Sequence, residues 1–240
     1  MSQDDTPPES SRRKRRGEGA APPVIPATRP DVGTKQIDPA DFAKMQVRLD
    51  AFIERRFAPL VPALGQAFFQ PARKGELGDP GLREAFRLWS LLGYRDPDGL
   101  RLVDMFAAAG LHDEPEIDRS LNAMRRARFR VLRIDARDES QKRLQTFDLL
   151  DDEAVSLLDR QAFDQVAIDE LLCGWFFPAA GLWRGLGAVT RISKVVADEI
   201  REAIFSLAAH EQMTPAELAE RRSMKLFWML YRSAALAPAG

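Results

Sequence analysis

Phe129-Arg-Val131-Leu132-Arg-Ile134, Leu144-Gln-Thr-Phe147-Asp-Leu149, Leu171-Leu-Cys-Gly-Trp-Phe-Phe177 and Leu182-Trp-Arg-Gly-Leu-Gly-Ala-Val-Thr-Arg-Ile192 decide how this chain folds. Each run is short, rich in β-branched and aromatic residues, and bounded by polar or turn-forming residues. Pro178-Ala-Ala-Gly181 has tight-turn chemistry between the last two, and Ala154 to Leu158 supplies a further short run. Together they predict a small antiparallel sheet or barrel over residues 129–192. The stretch Leu171 to Val189 is apolar enough to suggest a membrane span. Gly174, Pro178, Gly181, Arg184, Gly185 and Gly187 argue instead for buried β structure.

Outward from that segment the period changes to 3.6. Toward the N-terminus, Asp38-Pro39 and Asp79-Pro80 each pair a capping carboxylate with a proline suited to the first helical position. Phe42, Met45, Leu49, Phe52 and Ile53 then recur at helical spacing, as do Leu82, Phe86, Trp89 and Leu92. Asp96-Pro-Asp-Gly99 is a turn, followed by a short helix closed near Gly110 and a charged helix over 116–128. Toward the C-terminus, Val196, Ile200, Ile204 and Leu207 restore the helical stripe. Thr214-Pro-Ala-Glu217 is a capping box, and a last helix carries Phe227, Trp228 and Tyr231, which close the helical core or dock on a second chain. The expectation is an α+β chain: a basic, Pro-rich disordered tail over 1–35, a helical region over 36–128, the antiparallel β module over 129–192 and C-terminal helices over 193–240.

Composition bounds the function. The 35 basic and 36 acidic residues nearly cancel, so only a local cluster drives binding to nucleic acid or an anionic membrane. The single cysteine, Cys173, excludes an intramolecular disulfide and a Cys-based zinc site. With no secretory apolar stretch at the start, a cytoplasmic protein that does not bind membranes is expected, and the Ala- and Arg-rich composition suggests a bacterial source.

Residues 129–190 resemble a module of bacterial proteins of poorly defined function, some of which carry a C-terminal SEC-C zinc motif. The residues that carry the resemblance are Phe129 to Asp135, Phe147-Asp-Leu-Leu150, Asp169-Glu-Leu-Leu-Cys-Gly-Trp175, Pro178 and Gly181-Leu-Trp183. The resemblance implies a helical region ahead of the module, as here. It brings no zinc chemistry, because this chain lacks the Cys/His cluster near its end.

No residue set spells out catalysis. His112 and His210 lack metal-ligand spacing; Cys173 reads as a small core hydrophobe; Ser90, Ser120 and Ser156 have no nucleophile-elbow setting; Gly181 to Gly187 lacks phosphate-loop spacing. Asp148, Asp151, Asp152 and Glu153 have ligand chemistry for Mg²⁺, against a leading reading as a solvated turn. No catalytic residue, metal or cofactor is therefore assigned.

Two sets look functional. Arg12, Arg13, Lys14, Arg15 and Arg16 in the tail, with Arg125, Arg126, Arg128, Arg130 and Arg133 at the helix-to-strand junction, form a phosphate-binding footprint if exposed. For the junction the leading reading is surface ion pairing with Asp113, Glu114, Glu116 and Asp118. Trp175, Phe177 and Trp183 form a binding face if exposed and core if not. The expected function is a non-enzymatic interaction or adaptor protein with a protein partner. The alternative is a nucleic-acid-associated protein, and behind it a carboxylate-metal enzyme.

Overall fold

Asp38 and Asp79 start the helices that their Asp-Pro pairs predict. A computed structural model describes residues 37–111 and 114–236. In it Asp38 caps α1 (Pro39–Arg56) by accepting from the Ala40 amide at 2.8 Å, and Asp79 caps α3 (Pro80–Leu88) through Gly81 at 2.8 Å. Between them lies α2 (Leu60–Phe69), and α3 runs on through a π turn to Gly93. The short α4 (Leu102–Ala108) and α5 (Pro115–Arg125) complete the N-terminal helices around buried Met45, Leu49, Leu91, Leu102, Phe106 and Leu121.

The β segment comprises β1 (Arg128–Asp138), β2 (Arg143–Asp148), β3 (Glu153–Leu157), β4 (Leu171–Ala179) and β5 (Leu182–Ile192). A short α6 (Arg160–Gln165), absent from the sequence reading, lies between β3 and β4. The strands close into a barrel in the order β1-β2-β3-β5-β4. Four pairings are antiparallel; β3 and β5 are parallel and meet at Leu157 and Trp183. The sheet is thus mixed, which corrects the antiparallel expectation for a geometric reason. An odd number of strands cannot alternate direction all the way round a closed ring, so at least one neighbouring pair runs parallel. The Ala180-Gly181 corner between β4 and β5 has positive φ at both residues, 51° and 80°, as a tight two-residue hairpin requires.

Side-chain alternation divides the barrel's apolar residues between two cores. Leu132, Ile134, Leu144, Val155, Leu157, Leu172 and Phe176 fill the interior, with Phe163 of α6 as a plug. Phe129, Val131, Leu171, Cys173, Trp175 and Phe177 face outward into the core shared with the helices. β4 is consequently buried at all nine positions, apolar matter covering both its faces.

C-terminal to the barrel come α7 (Ala197–His210), α8 (Pro215–Arg221), started by the Thr214–Glu217 capping box, and α9 (Ser223–Leu236). The last helix docks on the N-terminal ones: Trp228 Nε1 donates to the Phe68 carbonyl at 2.8 Å, and Tyr231 Oη donates to Asp79 at 2.9 Å. Phe227, Trp228 and Tyr231 therefore close a helical core of this chain. No helix among the described residues is long and apolar enough to cross a membrane.

Candidate functional site

The inward register of β1 that places Leu132 and Ile134 in the barrel also points Arg130 inside, where it is 1% exposed. A buried guanidinium needs counter-charge. Asp148 at the end of β2, Asp151 in the following turn and Glu153 at the start of β3 supply it. Nη1 of Arg130 contacts Asp148 and lies 3.0 Å from Glu153 and 3.5 Å from Asp151. The Trp183 ring covers the guanidinium at 3.8 Å, and Nε is buried with no hydrogen-bond partner.

Asp148 is fully buried and also accepts from the Leu150 amide at 2.9 Å. Burial pushes its carboxyl up to about 6, with Asp151 adding to the rise and Arg130 pulling the other way. The solvated-turn reading therefore fails for Asp148, which the barrel buries, and holds for exposed Asp152, while Asp151 and Glu153 are partly exposed at the barrel's rim. The carboxylates of Asp148, Asp151 and Glu153 approach within 4.8 Å of one another, as a metal site would ask, but they converge on Arg130.

A second feature lies outside the barrel. A cleft of about 980 Å³ opens between the start of α1, α3 and the β5 flank. Its walls are Phe42 and Gln46 of α1, Glu84 and Arg87 of α3, the β1–β2 turn at 140–142, residues 158–160, and β5 from Arg184 to Gly187. Phe42 stacks on Phe177 with centroids 5.3 Å apart, giving one wall an apolar floor. Gly187 permits the close packing here: its φ is +65°, and a Cβ would lie 2.5 Å from Glu84 Oε1. Four cationic side chains, Arg87, Lys142, Arg160 and Arg184, face the cleft against two carboxylates, Glu84 and Asp159. Arg87 is held by Glu84 and Lys142 by Glu139, whereas Arg160 and Arg184 form no ion pair among the described residues. Arg184 Nε is buried without a partner.

The sequence-derived sets are redistributed. Arg12, Arg13, Lys14, Arg15, Arg16, His112 and Asp113 lie outside the described residues. Arg130 is withdrawn from the surface. Arg125 pairs with Asp104 at 2.9 Å, Arg128 with Asp151 at 3.5 Å and Arg133 with Asp135 at 2.8 Å, while Arg126 is exposed. Ion pairing holds in kind but not in partners, since Glu114 pairs with Arg48 and Glu116 with Arg119. Trp175 and Phe177 are 7% and 8% exposed and belong to the core, and half-buried Trp183 covers Arg130. His210 is exposed on the last turn of α7, and burial pushes the Cys173 thiol well up.

Arg184 is the residue the sequence reading missed. Its one signal was register: opposite Phe177, it occupies an outward position on the barrel flank that otherwise packs on helices. The chain matches no family model, no curated protein and no solved structure.

Proposed function

We propose that this chain is a non-enzymatic interaction protein whose working surface is the cleft between its helices and the β5 flank of its barrel. The observation that carries the reading is the pair Arg160 and Arg184, two guanidinium groups without carboxylate partners on the walls of a cleft with an apolar floor. Binding sites combine these properties: a concave, mostly apolar surface with few polar groups that converge on it. The resemblance of residues 129–190 to the module of SEC-C-bearing bacterial proteins belongs to the same proposal, as does a cytoplasmic setting.

A fragment-library screen by ¹H–¹⁵N NMR on the full chain tests the reading. Shifts concentrated at the Phe42, Leu158 and Leu186 amides support it; shifts confined to other surfaces, or none at the cleft, overturn it.

A second reading, association with nucleic acid, draws on the barrel. Five-stranded Greek-key barrels include folds that bind oligonucleotides across the outer face of strands two and three. That face here carries Gln145, half-buried Phe147 and Ser156, with Arg133 over the Phe147 ring at 5.5 Å. Fluorescence anisotropy with single-stranded DNA over a salt series tests it. Binding that weakens steeply with salt and falls when residues 1–35 are deleted favours this reading; no binding at low salt eliminates it.

A further inference from the structure

We infer that the cleft takes an extended acidic peptide segment of a partner protein, laid along the free edge of β5 with a carboxylate on Arg184. This rests on the cleft being the working surface, and it adds the chemistry of the occupant.

The edge follows from the odd closure of the barrel. β5 pairs with β4 from Leu182 to Ile192, but with β3 only at Trp183, because β3 ends at Leu157 and the chain turns into α6. Past Trp183 that side of β5 has no strand partner among the described residues. Arg184, Gly185, Leu186 and Gly187 all border the cleft. A strand face offers alternate residues, so Arg184, Gly185 and Leu186 in succession mark an edge, which ends where Gly187 turns to positive φ and packs on Glu84. An unpaired edge is a template for an added strand, with main-chain hydrogen bonds giving affinity and side-chain sites giving specificity. At about 3.3 Å per residue the three extended positions span roughly 10 Å.

Charge sets the class of side chain. Arg184 lines the cleft, is partly exposed and forms no ion pair among the described residues, so its guanidinium can take a carboxylate in the fork-shaped pair that such groups favour. Exposed Arg160 offers a second contact, and Phe42 with Leu158 accommodates apolar neighbours of the acid. A nucleic-acid strand fits less well: Glu84 and Asp159 face the same space and repel a continuous phosphate chain, and a strand edge has no backbone partner in it. The chain's own run Arg12 to Arg16 has the same sign as the cleft's excess charge, so charge complementarity does not select it.

The test is selection of a random dodecapeptide phage library on the full chain and, in parallel, on Arg184→Gln. A synthetic consensus peptide is then titrated by anisotropy against the wild type, Arg184→Gln and Arg126→Gln, the last being exposed outside the cleft. The expected result is a consensus with Asp or Glu at a fixed position among apolar residues. Its binding weakens about 10-fold or more in Arg184→Gln and is unchanged in Arg126→Gln. If Arg184→Gln lacks a cooperative thermal transition, Arg160→Glu replaces it and the same weakening is expected. No enrichment, a consensus free of acidic residues, or equal binding by the cleft variant overturns the inference. So does single-stranded DNA that binds in an Arg184-dependent way while no peptide is enriched. Fragments that fill the cleft while no acidic peptide does would sink the inference alone; a cleft empty of fragments would sink the underlying reading.

Discussion

Arg130 and Arg184 stand on two strands of one barrel, one pointing in and the other out. Arg130 is enclosed by three carboxylates and roofed by Trp183, with access to solvent lost. Arg184 borders a cleft, is partly exposed and forms no ion pair among the described residues. The difference separates two uses of the same side chain. A guanidinium surrounded by more than its counter-charge organises a core, and one left short of counter-charge beside open space is available to a ligand. Local sequence does not distinguish them, since an aromatic residue precedes each, Phe129 before Arg130 and Trp183 before Arg184.

The largest test of the contrast is Arg130→Met. Removing the cation leaves buried Asp148 without its counter-charge beside partly exposed Asp151 and Glu153, and breaking a buried pair in this way costs roughly 3–5 kcal/mol. Urea denaturation at pH 7 should show that loss, and it should shrink at pH 5, where a carboxyl takes up a proton.

The next test is Asp148 itself. Its folded value, about 6, stands above the ordinary 3.8, so its contribution to stability is fully present below about pH 3.8 and is lost as pH rises through about 6. Relative to Asp148→Asn, which does not titrate, the wild type should lose roughly 1–2 kcal/mol between pH 5 and pH 7.5. A wild type that instead gains on the variant over that range would mean that Arg130 outweighs burial and keeps the carboxylate ionised.

Trp183→Ala removes the ring over Arg130 and part of the interior packing, an expected loss of about 2 kcal/mol in the same denaturation experiment. The smallest effect belongs to the other arginine. Arg184→Gln should change stability by no more than about 0.5 kcal/mol. A large loss there would show that Arg184, like Arg130, is structural and would erase the contrast.

Both helix starts at Asp-Pro, the capping box at Thr214 and the strand runs were legible because each depends on residues within a few positions of one another. Three things were not. The six residues of α6 are too few to display a helical period. Arg130 could not be placed inside because the strand Phe129-Arg-Val-Leu-Arg-Ile134 has buried apolar residues on both faces, so alternation does not say which face is the interior. Asp148 read as part of a hydrated turn because the charge that holds it inside, Arg130, is 18 residues away in sequence.

The parity of five strands also bears on how the barrel moves. A ring of even count can be zipped equally all round, whereas this one has a seam held by a single register pair, Leu157 with Trp183. Local opening should begin there, and amides flanking the seam should exchange with solvent ahead of those between β1 and β4. Such breathing would lengthen the free edge of β5 for a moment and give an incoming strand its place to start.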